Sequence, residues 1–339
     1  MTTDGRPGDG TGNEDDRGAT ARPRSAMRCA VPVDGGALGV AEWDDGVDAP
    51  APAVLAAHGV TATGAAWQLV ADRLPGTRVI APDLRGRGRS SELPGPATLV
   101  RHADDLARVL DATDIDRVVF LGHSLGAFVG VRFAQRHRDR LHALVLVDGG
   151  LPVVTSGIDA EPDPRRVLGP AFDRLTRSFE TVDDYLDAWR AHPVIGPLWC
   201  GAVERALRDE LQGDGPYRVA VDVDAVVQSL VEFEGGDGYR EALIGLTVPT
   251  VFVRAGHGLT GGVPLYPHDT ASSLLRFLRS VTVVDAPDES HYSLLYGPTG
   301  ASITADAVRE QVAVAARREA ARAAHPASGH IRIVRPAPD

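Results

Sequence analysis

The apolar run Val118, Val119, Phe120 and Leu121 leads directly into Gly122-His123-Ser124-Leu125-Gly126. A short buried strand that turns sharply into a helix presents the serine hydroxyl at the edge of a sheet. The flanking glycines leave room for this turn, because side chains there would collide with the strand or with the helix that follows. The segment therefore demands a strand that stops at a sheet rim and a helix that starts at once.

The rest of the chain repeats that alternation. Strand patterns occupy residues 28–33 and 37–43 around Asp34-Gly35-Gly36, then 53–57, 77–81, 117–121, 141–147, 250–254 and 281–284. Between them, helical spacing covers 63–74, where Trp67, Val70 and Leu74 recur three and four apart, then 99–110, the stretch from Ser124 to about Arg136, 238–244 and 271–278. Such an order predicts an α/β fold with a mostly parallel sheet covered on both faces. The alternation breaks after Leu151: residues 171–179, 182–190, 202–211 and 221–233 read as successive helices with no convincing strand, a helical insertion over the carboxyl edge of the sheet. The expected organisation is a disordered leading segment (1–26), a first core part (27–150), a helical cap (151–235), a second core part (236–325) ending in a helix over 303–324, and a tail (326–339).

A chain of 339 residues with 43% hydrophobic content can bury a large core, mainly aliphatic because aromatic residues make up only 5%. The formal charge of -11, without a sustained Lys/Arg block, argues against a nucleic acid or an anionic membrane as partner. Cys29 and Cys200 are the only cysteines, far apart, and read as two unrelated thiols. No apolar run reaches the roughly 18 residues of a membrane span, and the first residues lack the apolar region of a secretory signal, so a soluble cytoplasmic protein is expected. A homo-oligomer stays open. Neither a Walker pattern nor a metal-ligand set such as H-E-x-x-H occurs, so no cofactor or metal is expected. Arg85, Arg87 and Arg89 are then read as loop-stabilising or surface residues.

Three chemically capable groups fall where strands stop: Ser124, Asp148 and His291. A serine hydroxyl is a poor nucleophile at neutral pH; an imidazole can remove its proton, and a carboxylate can hold that imidazole in the useful tautomer. Ser124 is thus the expected nucleophile, His291 the general base and then acid, and Asp148 the orienting acid, with Asp269 and Asp285 as alternatives for the last role. The backbone N–H groups of Leu125 and of Val60, which follows His58-Gly59, are the candidate oxyanion donors. Trp67, Leu151, Trp189, Trp199 and Tyr292 are candidate cleft residues for substrate.

On these motifs the chain resembles the α/β-hydrolase family. The His58-Gly59 element, the Asp83 to Ser90 segment with its Arg-Gly repeat, the Ser124 segment and the late His291 occur in that family's order. The resemblance implies an eight-stranded sheet and a cap above the active site. The family commonly takes its acid from the loop after the seventh strand, which here reads Gly256 to Leu259 and holds no carboxylate; some branches take it from the end of the sixth strand, where Asp148 stands. A serine at position 124 argues against the family's epoxide- and haloalkane-cleaving branches, which use aspartate. The implied activity is hydrolysis of an ester or lactone of a small to medium apolar acyl substrate. A thioesterase or carbon–carbon bond hydrolase is the enzymatic alternative, and a ligand-binding protein on the hydrolase scaffold the non-enzymatic one.

Overall fold

The computed structural model describes residues 23–47, 51–153, 170–234, 237–278 and 280–324. Most of the expected leading segment, part of the expected cap and the tail lie outside the described residues. Residues 23–26 depart from the disorder expected of 1–26. Arg24 is docked there, its guanidinium donating to the carbonyls of Ala71, Leu74 and Thr77 and pairing with Asp45 at 2.8 Å.

Along the chain the first strands are β1 (Met27–Val33), β2 (Gly36–Trp43), β3 (Ala53–Ala57), β4 (Val79–Pro82), β5 (Val118–His123) and β6 (Leu141–Val147). Three short strands follow: β7 (Ser178–Phe179), β8 (Leu211–Gln212) and β9 (Tyr217–Val219). Then come β10 (Thr250–His257) and β11 (Val281–Ser290). Eight of them form one sheet in the order β1-β2-β4-β3-β5-β6-β10-β11. Only β2 runs antiparallel to its neighbours β1 and β4; all other pairs are parallel. Every residue of β4, β5 and β6 is buried. Helices on both faces require this, and it explains why these strands read as continuous apolar runs rather than alternating ones.

The order reverses at β3, with β4 on one side and β5 on the other, so a crevice opens at the carboxyl ends of β3 and β5. The segments leaving β3, β5, β6, β10 and β11 therefore line up along one rim. The helix Leu125–Arg136 starts there and packs tightly across the sheet. A Cβ at Gly126 would strike the carbonyl of Ala57 in β3, and one at Gly122 would strike the backbone of Gly126.

Two expectations change. The insertion does contain strands: β7, β9 and β8 form a small antiparallel sheet, with Phe179 opposite Tyr217 and Leu211 opposite Val219. They are two or three residues long, too short to produce a readable alternation. The strand expected over 281–284 continues through 285–290 as β11, and β10 likewise runs on beyond 254 to His257 past a register shift after Ala255. Polar residues can occupy this strand because β11 is the sheet edge and half of its positions are exposed.

Arg85 and Arg89 stabilise loops, as expected. Arg85 is fully buried and forks onto both oxygens of Asp105 at 2.9 and 3.0 Å, while Arg89 pairs with Asp209 at 2.8 Å near the surface. Cys29 and Cys200 are both free and exposed. Among the described residues no helix is long and apolar enough to cross a membrane.

The contact between helix and sheet gives the first prediction. Gly126→Ala should lower stability by about 1–3 kcal/mol, because backbone rather than a flexible side chain occupies the space. A urea midpoint equal to that of the wild type would contradict the close approach.

Candidate active site

Ser124 sits between β5 and its helix with φ 52° and ψ −118°, a conformation that L-residues rarely adopt and that costs on the order of 1–3 kcal/mol. Its neighbours hold it there. Ser124 N–H donates to the Val147 carbonyl at 3.0 Å, and its own carbonyl accepts from Ala127 at 3.0 Å. Gly149 lies against the Ser124 backbone so closely that a Cβ could not be accommodated. The side-chain hydroxyl has no hydrogen-bond partner among the described residues and faces a cavity.

Asp148 leaves the neighbouring strand β6, also at positive φ (42°), and is completely buried. Its N–H donates to Val253 at 2.8 Å, and its Oδ1 accepts from the Ala255 N–H at 3.2 Å. Oδ2 lies 2.7 Å from Nδ1 of His291. Strand β10, whose following loop holds no carboxylate, thus supplies through Ala255 a backbone donor that orients the carboxylate from the adjacent β6. Asp285 instead pairs with Arg254 at 2.7 Å and is half exposed, and Asp269 is fully exposed beside His268. Neither contacts His291.

His291, just beyond β11, is held at both backbone groups. Its N–H donates to His257 at 3.0 Å, and its carbonyl lies 3.0 Å from Nε2 of His123. The rings of His123 and His291 lie against each other at a 40° tilt, with centroids 4.4 Å apart. Burial, and secondarily the neighbouring His291, keep the His123 pKa far below the ordinary histidine range. A neutral His123 with a proton on Nε2 is the form that can donate to the His291 carbonyl. His123 carries no signal of its own in the sequence, since the position between Gly122 and Ser124 tolerates many residues in this type of turn.

On the other side of Ser124 lies the loop after β3. His58 is buried and bridges it: Nε2 accepts from Leu84 at 2.9 Å, and Nδ1 lies 2.7 Å from the Gly59 carbonyl. Gly59 packs on the Ser124 side chain, where an added Cβ would come within 3.5 Å of Ser124 Cβ. The N–H groups of Val60 and Leu125 have no hydrogen-bond partner among the described residues. Leu125 is the first residue of its helix, where unsatisfied N–H groups and the helix dipole favour negative charge.

These groups open onto one cavity of about 90 Å³, lined by Ser124, His123, Asp148, His291 and the 59–62 loop on the polar side, and on the apolar side chiefly by Phe128, Phe233, Leu265, Tyr266, Tyr292 and Tyr296. Of the expected cleft residues, only Tyr292 lines it. Trp67 is fully buried in the core, and Leu151 is buried with its carbonyl accepting from Tyr266 at 2.7 Å. Trp189 stands behind Tyr292, edge-on at 6.1 Å and covered by the Arg174 guanidinium at 4.3 Å, while Trp199 carries Arg190 on its face at 4.8 Å. Bulk alone misidentified them, because packing takes most large side chains. Helical spacing held a better signal: Phe128 and Tyr296 stand four residues beyond Ser124 and Tyr292. Among the described residues no group of three or more His, Cys, Asp or Glu side chains is arranged to hold a metal ion.

Comparisons with known proteins bear on the fold. A family model described as the alpha/beta hydrolase fold matches residues 52–201. Over that stretch the chain is similar to the alpha/beta-hydrolase family, and its eight-stranded sheet has that fold. The lipase LipV of Mycobacterium tuberculosis is 41% identical over 137 residues, which cover 38% of this chain and 52% of the lipase. The putative carbamate hydrolase RutD of Caulobacter vibrioides is 40% identical over 101 residues, covering 28% of this chain and 36% of that protein. The chain thus spans about half or less of the length of these curated relatives. Among solved structures, an E-2-(acetamidomethylene)succinate hydrolase superposes with a TM-score of 0.68 at 21% identity, over 85% of this chain and 100% of the other. A thioesterase domain from the curacin biosynthetic pathway gives 0.61 at 22% identity, over 86% and 99%. At these identities the structural matches speak for the fold alone.

The buried histidines beside this site link it to stability. Burial pushes His58 from its ordinary value of 6.5 down to about 3. The unfolded chain binds a proton there that the folded chain refuses. The stability from a neutral His58 is therefore complete above pH 6.5 and lost progressively as pH falls towards about 3. Urea unfolding between pH 7 and pH 4 should show that decline, and His58→Gln should make it shallower; an unchanged slope in the variant would remove His58 from the account.

Proposed function

We propose that the protein is a serine hydrolase that cleaves a carboxylic ester or lactone of a small, apolar acyl substrate through an acyl-enzyme. The observation that carries this reading is the Asp148–His291 pair at 2.7 Å opening, together with the Ser124 hydroxyl, onto one cavity flanked by two N–H groups without partners.

In this mechanism Asp148 accepts a hydrogen bond from the Nδ1–H of His291, holding the tautomer whose Nε2 lone pair is free to take the Ser124 proton as Oγ attacks the carbonyl carbon. Negative charge moves to the carbonyl oxygen, where the N–H groups of Val60 and Leu125 stabilise it; one such donor contributes about 3 kcal/mol to the transition state. Collapse of the tetrahedral species breaks the bond to the leaving alkoxy group, which takes the proton from His291. Water, deprotonated by the same imidazole, then attacks the acyl carbon, and Ser124 leaves with its proton restored. Every step uses side chains and backbone groups of this chain.

The apolar wall bears on the substrate. Phe128 and Phe233 stack at 4.9 Å, and the Tyr266 hydroxyl is already engaged by Leu151, so this face offers little to a charged acyl group. The relatives named as a lipase and a putative carbamate hydrolase fit acyl transfer of this general kind.

A fluorophosphonate probe should label Ser124, and Ser124→Ala should abolish both the label and ester turnover. Asp148→Asn should reduce kcat by about 10⁴-fold, since the amide stabilises the wrong imidazole tautomer. Acetyl and butyryl p-nitrophenyl esters should be preferred to dodecanoyl esters. Tight binding of an apolar ester without label or acyl adduct, by intact mass, would replace this reading with that of a binding protein.

A further inference from the structure

Arg87 is fully buried, yet among the described residues it touches no carboxylate. Its Nε donates to the Val60 carbonyl at 2.9 Å, Nη1 to the Arg85 carbonyl at 2.8 Å, and Nη2 to Ser229 Oγ at 2.9 Å and the Ala225 carbonyl at 3.3 Å. Burial pushes the guanidinium down to about 9, partly offset by the charge of Asp222. A buried cation with only neutral acceptors is costly unless its full set of donors is used. Here the planar fork reaches two separate parts of the molecule: the loop after β3, and the helix Val223–Val231 of the insertion.

The loop explains what that contact does. The Gly59 carbonyl is taken by the Ala62 N–H at 3.2 Å and lies 2.7 Å from His58 Nδ1, while the Val60 carbonyl is taken by Arg87. Both following peptides are trans, so each N–H points opposite to its carbonyl. Fixing the two carbonyls therefore fixes the Val60 and Thr61 N–H groups on the other side, and both residues line the cavity. Neither N–H has a hydrogen-bond partner among the described residues.

The insertion end is equally well held. Gly88 N–H donates to Ala220 at 2.8 Å and Asp222 N–H to Gly86 at 2.9 Å, and Gly86, at φ +79°, lies directly against Ala225. Ser229 Oγ also donates to the Ala97 or Ala225 carbonyl, at 3.0 and 2.9 Å. Two residues past this helix, Phe233 forms part of the cavity wall. The helix that leads into a cavity-facing ring is thus joined through one guanidinium to the loop that presents the N–H donors.

We propose that Arg87 is a positioning residue that sets the 58–62 loop for oxyanion stabilisation and ties that setting to the seating of the helix Val223–Val231. Its kinetic consequence rests on the acyl-transfer reading above; its effect on the loop does not. Arg87 touches no substrate and acts through Val60 and Thr61.

The test compares wild type with Arg87→Met, Arg87→Lys and Ser229→Ala, using a short-chain aryl ester, a trifluoromethyl ketone as tetrahedral mimic, and amide hydrogen exchange. Arg87→Met should lower kcat by about 10- to 100-fold with KM within about threefold, and weaken the ketone by the same factor as kcat, because only the charged oxygen loses support. Exchange at Val60 and Thr61 should rise while that in β5 stays as in wild type. Ser229→Ala should shift kcat and loop exchange in the same direction by about threefold, the effect of roughly one neutral hydrogen bond. Arg87→Lys should fall between, since an ammonium cannot span both acceptors. Wild-type kcat and wild-type loop exchange in Arg87→Met would overturn the proposal, as would a loss of kcat matched by faster exchange throughout the sheet. If Arg87→Met does not fold, the same two readings on Arg87→Lys and Ser229→Ala decide. Absence of ester turnover in the wild type would sink the hydrolase reading, and loop exchange would still decide the role of Arg87.

Discussion

The arrangement depends on how closely the helix Leu125–Arg136 approaches the sheet. Ser124 can be held at positive φ only if the backbone on each side comes nearer than a Cβ allows, and Gly122, Gly126 and Gly149 provide that space. The strain at one residue is sustained by hydrogen bonds to β6 and to the first helical turn, and by a sheet whose central strands are wholly buried. A less compact core would let Ser124 relax and turn its hydroxyl away from the rim.

Around that fixed point, uncharged imidazoles serve as structural hydrogen-bonding groups. His58 joins the loop after β3 to Leu84, and His123 supports the carbonyl of His291. Burial keeps both neutral, so each presents one donor and one acceptor in a fixed sense. Arginines do the longer-range bracing. Arg85 is balanced by Asp105, whereas Arg87 spends its donors on carbonyls and a hydroxyl in two different segments. The first arrangement holds a loop; the second joins a loop to the insertion.

The α/β alternation was legible because β3, β5 and β6 are buried on both faces and so appear as uninterrupted apolar runs. The small sheet of β7, β8 and β9 was not, since two- and three-residue strands leave no period to detect. Asp148, Asp269 and Asp285 were all plausible from position. Their environments separate them: one is dry and aimed at His291, one is fully exposed, and one is engaged by Arg254. The tryptophans misled because bulk predicts burial, and burial alone does not say whether a ring faces a cavity or the core.

The sequence by itself determined the turn at Ser124 and the succession of strands around it, since both follow from local sterics and from apolar runs between neighbours in the chain. Tertiary structure decided which carboxylate meets His291, which rings wall the cavity and what Arg87 holds. The deciding contacts are distant in the chain: Val60 and Arg87 are 27 positions apart, and Asp148 and His291 are 143 apart. Local pattern fixes which face of an element is buried, but only the packed sheet fixes what that face meets.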